Sequence, residues 1–338
     1  MTLCVGWIRG RKDRDSSELC FVTDSRLRQG EAWDQGTKLF DLGRRDCLLC
    51  FAGDTSRAYP LILQGFHTHR THVDWTDPRW DVPDLLNLIC DLFTKTALEI
   101  KDLPRGQTQP DMEVGFLFGG WSWRERDFRL WKILYNADLK AFVPESWHDR
   151  EDNRFSFAFI GDHTEEAKKL LTDKVVSDDN VLRGTLEMEP LCIVADMARN
   201  QTDYPEIGGA LQIGKVYPSG NNEFFGVWWP SINGAPHIMG RLVSLYDAPP
   251  LRFYNPDTAE LIDRLPTMLN ELDAFEFDEP IQKYITDRME GLNLKDTLPE
   301  AEKMRLHRIF KEAAYADFIR RQEAPLPETQ SREQEANV

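Results

Sequence analysis

Basic residues are in short supply: 41 Lys+Arg face 57 Asp+Glu over 338 residues, a formal net charge of −16. Such a balance repels a phosphate backbone and an anionic membrane face alike, so neither nucleic acid nor a membrane is expected as a partner. No apolar run approaches the roughly 20 residues that a membrane helix needs. The chain does not open on a basic stretch followed by a short apolar core, so no secretory leader is expected and the chain reads as cytoplasmic. Phosphate-binding loops of the G-x-G-x-x-G and G-x-x-x-x-G-K-[ST] types are missing, as are the G-x-S-x-G elbow and any internal repeat. Cysteine is sparse. The six thiols (Cys4, Cys20, Cys47, Cys50, Cys90, Cys192) are scattered and sit mostly in apolar runs, which reads as reduced and buried. Cys47 and Cys50 have C-x-x-C spacing, but in a strand-like run residues three apart point to opposite faces. His67, His69 and His72 end an expected helix, where cationic side chains are favoured. Neither a metal nor a cofactor is expected.

What is present is an ordinary globular balance, 41% hydrophobic and 29% charged, enough to bury a sizeable core. The order of patterns is strands, two helices, strands, two helices, strands. Two β-capable runs at the N-terminus predict a hairpin, followed by a polar loop over 27–36 and a half-buried strand over 37–42 with Lys38 on the face opposite Leu39. A strand over 47–52 leads into a helix over 55–72, with Ser56 as its expected N-cap and Pro60 in its first turn. A second helix follows Pro83. Strands are expected over 112–119, 128–135 and 155–160, helices over 164–176 and 186–201, and strands over 210–216, 223–229, 237–245 and 251–254. Blocks of this kind argue for an α+β domain of antiparallel sheets with helices outside them. From residue 257 the chain turns acidic and Pro-punctuated, predicting a helical extension over 257–322 and a disordered tail over 323–338.

The candidate chemistry gathers at the first strand. If Met1 is removed, Thr2 carries a hydroxyl and a free α-amine on one residue, a nucleophile with its own base. A hairpin sets the end of its second strand beside the start of its first, so Asp24 and Thr2 become neighbours although 22 positions apart, and a third strand alongside brings Lys38 to them. With Thr23-Asp24-Ser25-Arg26, Thr37-Lys38-Leu39-Phe40 and Phe51-Ala52-Gly53-Asp54 following Thr2 in order, residues 1–256 resemble the proteasome β-subunit type of N-terminal nucleophile hydrolase. That group includes HslV and Anbu; the opening Met-Thr-Leu-Cys-Val-Gly and the Asp-Ser-Arg look most like the Anbu branch.

The resemblance implies a four-layer αββα sandwich, two antiparallel sheets between helical layers, over residues 1–256. It implies a threonine amidohydrolase acting on a peptide or protein, assembled as a homo-oligomeric ring or open ring, with an unfoldase or adaptor left open. Thr2 would attack the carbonyl, and Lys38 would favour deprotonated hydroxyl and amine. Asp24 would orient Lys38, the Gly53 N–H would receive the oxyanion, and Asp203 would stand behind the site; Leu27, Gly36, Phe40 and Phe51 would line an apolar specificity pocket. Lys38→Ala is then expected to abolish turnover with little loss of folding. The chain departs from the family pattern at two places. Gly161-Asp162-His163 stands where Gly-Ser-Gly is implied, and Ile207 stands for the Ser of the motif that Asp203 begins. These departures keep a second reading open, a catalytically silent ring or scaffold subunit that binds partners. A third, a stand-alone binding protein using the C-terminal helices, has no motif behind it.

Overall fold

A computed structural model describes residues 2–10, 17–72, 77, 79–103, 112–147, 156–176, 186–243 and 251–262. These belong to a unit formed by residues 1–243 and 249–262. The helical extension and tail expected beyond residue 262 lie outside the described residues.

The N-terminal hairpin forms as its apolar runs dictate. Strand β1 (Leu3–Arg9) pairs antiparallel with β2 (Glu18–Thr23), Cys4 opposite Thr23 and Arg9 opposite Glu18. The stretch expected as a loop instead makes a short ribbon, β3 (Leu27–Gln29) with β4 (Glu31–Trp33), turning at Gly30 with φ +86°. Strand β5 shrinks to Leu39–Phe40 and pairs with β6 (Cys47–Gly53). Helix α1 (Thr55–Thr71) begins at the expected residue, but its cap lies two residues earlier than expected. Its N-cap is Asp54, not Ser56, because the Asp54 carboxylate accepts the Ser56 N–H at 2.8 Å; Pro60 therefore falls beyond the first turn. Helix α2 (Val82–Leu98) is closed by a capping box between Asp81 and Asp84.

Strands β7 (Val114–Ser122) and β8 (Asp127–Asn136) meet at the Trp-containing turn, and β9 (Ala141–Ser146) adds an edge strand. Next come β10 (Phe157–Gly161), helices α3 (Thr164–Val175) and α4 (Glu189–Arg199), and β11 (Gln212–Val216) with β12 (Asn222–Trp229). The last strands are β13 (Ala235–Ile238), β14 (Arg241–Leu242), β15 (Phe253–Asn255) and β16 (Glu260–Leu261), so pairing runs past residue 256.

The result is a mixed α+β fold with four helices among the described residues. One sheet runs β10-β1-β2-β11-β12-β13-β14, with β15 parallel to β12 and β16 on β15; the other runs β5-β6-β7-β8-β9, antiparallel throughout. Alternation along β1 feeds two separate cores. Leu3, Val5 and Trp7 pack with Leu171 of α3 and Leu191 and Val194 of α4, whereas Cys4 and Ile8 pack with Leu48 and Cys50 of β6 and Leu130 of β8. A third cluster joins Leu49 and Phe51 of β6 to Leu61 of α1 and Ile89 and Phe93 of α2. Cys47 and Cys50 face different cores, and all six cysteines are free thiols. No helix among the described residues is long and apolar enough to cross a membrane.

Candidate active site

Thr2 precedes β1 and is 1% exposed. Its neighbours arrive from four directions. The hairpin register carries Asp24, the residue after β2, back to the N-terminal end of β1, where Asp24 Oδ1 accepts the Leu3 N–H at 3.2 Å. Lys38, just before β5, reaches in from the second sheet and not from a third strand alongside the hairpin as expected, because β2 pairs with β11 and β5 pairs with β6. Its ammonium donates to Asp24 Oδ1 at 2.9 Å and to Thr2 Oγ1.

Lys38 and Asp24 are both fully buried, so this is an ion pair out of water rather than a half-solvated strand residue. Removing either partner strands a charge in the interior, which costs roughly 3–5 kcal/mol. The expected mild effect of Lys38→Ala on folding is thereby corrected.

Asp24 accepts four hydrogen bonds. The other two, from the Arg26 N–H at 3.0 Å and the Gly208 N–H at 3.1 Å, reach Oδ2. Gly208 is delivered by the loop over 201–208, which Arg26 clamps by donating to the Pro205 carbonyl at 3.1 Å and the Gln201 side chain at 3.2 Å. The same guanidinium grips both oxygens of Asp34, at 2.7 and 2.8 Å, and the hydrogen bond to Asp34 holds Arg26 above its ordinary range. A side chain at Gly208 would run into that guanidinium, 2.5 Å from its central carbon.

Gln212 on β11 fixes Lys38 from the backbone side. Its carbonyl accepts the Lys38 and Leu39 N–H groups at 2.9 and 3.2 Å, and its amide donates to Ser25 Oγ at 2.9 Å and the Gly36 carbonyl at 2.6 Å. The sequence reading missed it. The available signal was a fully buried amide in the otherwise apolar start of a strand.

Asp162 was also missed as a partner of Thr2, having been read only as a departure from the Ser of the resembled motif. Its carboxylate accepts the Thr2 N–H at 2.7 Å, and its own N–H donates to the Thr2 carbonyl at 2.8 Å. The chain passes this close only because residue 161 is glycine, with φ +104° and a hypothetical Cβ 1.9 Å from the Thr2 oxygen. Gly53 ends β6 in a similar way, at φ +108° with the Glu113 carbonyl 2.1 Å from where a Cβ would sit.

Ala52, Gly53, Gly161 and Asp162 line a cleft of about 570 Å³ that also touches Arg28, Asp54, Glu113 and Lys132. The cleft brings the expected oxyanion donor Gly53 to the same opening as the residues that hold Thr2.

Asp203 is not brought in. It is exposed and occupied by its own turn, accepting from the Asn200 amide at 2.8 Å, and the Gly208 N–H meets Asp24 instead. Ile207, in the place of the expected Ser, is fully buried in the core beneath β1.

The four apolar candidates do gather. Leu27 lies against Gly36, and Phe40 stacks on Phe51 with ring centroids 6.4 Å apart. None of them lines the 570 Å³ cleft, and Phe51 is fully buried. They form an apolar shelf with Tyr59 and Phe66 on the α1 side of β6. No protein-family model and no curated protein matches this chain.

Proposed function

We propose that this chain is a threonine-type N-terminal nucleophile amidohydrolase, a proteasome-like peptidase most like the Anbu type, with Thr2 freed by removal of Met1. The observation that carries the reading is the buried ammonium of Lys38, bonded at once to Thr2 Oγ1 and to Asp24. In solution a threonine hydroxyl is a poor nucleophile; a fixed cation beside it favours its deprotonated form.

The peptide bond to Met1 makes the Thr2 nitrogen an amide without basicity, so the chemistry requires its removal. In the freed chain the amine takes the Oγ proton as Oγ bonds to the substrate carbonyl carbon, and the carbonyl electron pair moves onto oxygen. The Gly53 N–H is the donor for that oxyanion, a contribution of roughly 3–4 kcal/mol where such donors have been removed from other enzymes. The ammonium then gives its proton to the leaving amine as the C–N bond breaks, and water hydrolyses the remaining ester. Asp24 holds Lys38 in place throughout.

The same proposal includes the layering: two facing sheets, with α3 and α4 outside one and α1 and α2 outside the other, a four-layer αββα sandwich. Two cores on either side of β1 and a third beneath the helices of β6 support it. A cytoplasmic homo-oligomer acting on peptides or proteins completes the reading.

The intact mass of the full chain, before and after exposure to an epoxyketone that needs hydroxyl and amine on one residue, tests it. The expected result is a mass lacking Met1 and a single adduct mapped to Thr2, lost in Thr2→Ala. Retained Met1 sinks the proposal. A second reading, a silent scaffold subunit, is favoured by the 1% exposure of Thr2 and by Ile207, which supplies no hydroxyl; it predicts no adduct after Met1 has gone.

A further inference from the structure

Resting on the proposal that Thr2 is a freed N-terminal residue, we infer that Asp162 is its positioning residue and makes the site an alkaline-activated one. The carboxylate holds the α-amine as an ammonium at neutral pH and releases it as a base only as the pH rises.

The argument starts from charge around one nitrogen. Asp162 Oδ2 lies 2.7 Å from Thr2 N. An ionised carboxylate only accepts hydrogen bonds, so it favours the form of that nitrogen with the most protons and with positive charge. Lys38 pulls the other way, because a cation beside the amine favours the neutral form. The Lys38 ammonium, however, is bonded to Thr2 Oγ1 and to Asp24, not to the Thr2 nitrogen. The Asp162 carboxylate touches the nitrogen itself and accepts no other side-chain or backbone bond among the described ones, so its influence on the amine prevails.

The other charged groups that line this opening make no described hydrogen bond to Thr2. Asp54 and Glu113 come from the ends of β6 and β7, and Arg28 and Lys132 from β3 and β8, two of each sign around the cleft. His163 adjoins Asp162 but turns its ring to Glu206 at 3.4 Å and Glu166 at 3.8 Å. Desolvation pushes Glu206 up, yet its own backbone N–H and His163 outweigh this and hold it below the usual carboxylate range. The His163 and Glu206 groups thus satisfy each other and leave Asp162 to Thr2.

Position adds to charge. Asp162 grips Thr2 on both sides, through its carboxylate to the nitrogen and its N–H to the carbonyl, with Gly161 pressed against that carbonyl. A hydroxyl in this place could position the amine as well but would leave its proton affinity near that of a free terminus, at about pH 8. The carboxylate raises it. The same carboxylate then stabilises the ammonium that forms when the amine takes the Oγ proton, so the smaller basic fraction at neutral pH is accompanied by a stronger base.

The test uses the full chain produced with Thr2 as its first residue, as wild type, Asp162→Asn and Asp162→Ser. Two readouts are followed across pH: the rate of epoxyketone adduct formation at Thr2, and the carbon-13 shift of the Thr2 Cα in threonine-labelled protein. The expected result is that the acid limb and the shift midpoint both lie above about pH 8 in wild type. Both fall by about one pH unit or more in each variant. Midpoints unchanged in both variants overturn the inference, including the case where only the plateau rate drops, since a purely structural role moves the plateau alone. The two proposals fail separately. A wild type with no adduct at any pH, but a shift midpoint that still falls in Asp162→Asn, removes Thr2 as a nucleophile and leaves Asp162 as the holder of its amine.

Discussion

Lys38 shows how one buried residue ties stability to chemistry. Its ammonium is fully buried and bonded to Asp24 and Thr2, so the loss of either partner is felt in both stability and chemistry. Lys38→Ala should lower unfolding free energy by roughly 3–5 kcal/mol, because Asp24 is left charged and buried. Chemical denaturation at neutral pH measures it, and a loss below about 1 kcal/mol would mean that water enters the gap. Thr2→Ala removes one acceptor of a buried ammonium and should cost about 1.5–3 kcal/mol. Gly161→Ala should be among the most damaging single-atom additions in the described chain. Its Cβ would sit 1.9 Å from the Thr2 carbonyl on a backbone at φ +104°, a clash that relaxes only by moving Asp162 away from Thr2. A lowered melting temperature together with loss of the epoxyketone adduct is expected. An unchanged melting temperature contradicts the close passage.

At the scale of elements, helix starts carry separable contributions. Asp81 is buried, accepts from the Val82 N–H at 2.9 Å, the Trp123 N–H at 3.2 Å and Ser122 Oγ at 2.5 Å, and shares a capping box with Asp84. Asp54 caps α1 in a more open position. Asp81→Ala should therefore cost about 2–3 kcal/mol, a lost cap plus a stranded Ser122 hydroxyl, against about 1 kcal/mol for Asp54→Ala. Equal losses in denaturant titrations would show that the β7 turn does not depend on Asp81. The same elements show what a sequence reveals. The β1–β2 hairpin was readable from two apolar runs around a charged loop, α2 from its apolar residues recurring near every four, and α3 from Glu165 and Glu166 preceding Lys168 and Lys169. The β3–β4 ribbon was not, since Arg28, Gln29 and Glu31 break up its apolar residues and it is held by distant partners, among them the loop over 201–208 through Arg26 and Arg28. Strand β9 was missed as well, being a partly exposed edge with Pro144 in it.

The whole molecule should be labile to base. Burial pushes the Cys20 and Cys90 thiols up to about 12, and raises Cys47 and Cys50 well above the ordinary thiol range. An unfolded thiol ionises near ~8.5. Below that pH both states hold their protons and the full stability is present. As pH climbs from there toward 12, the unfolded chain releases protons that the fold retains, and stability falls by about 1.4 kcal/mol per pH unit for each thiol. A melting temperature that drops steadily above about pH 9 is expected; one that stays level to about pH 10.5 contradicts the burial of these groups. This decline limits the alkaline range in which an amine held by Asp162 can be titrated, so the midpoints are best compared among variants at one temperature.

The sequence by itself determined the class of fold, the order of most elements and the meeting of Thr2 with Asp24. Strand period and hairpin register are local properties, and Thr2 and Asp24 stand at the two strand ends that this register brings together. Lys38 reaches them from the second sheet, a placement that local pattern does not set. Only the tertiary structure decided which groups complete the site. Asp162 and Gly208 come from loops 160 and 184 residues away from their partners, Thr2 and Asp24, while Asp203 and Ile207 turn elsewhere. Loop backbones carry no periodicity, and where their N–H groups and carboxylates point is settled by packing across the whole domain.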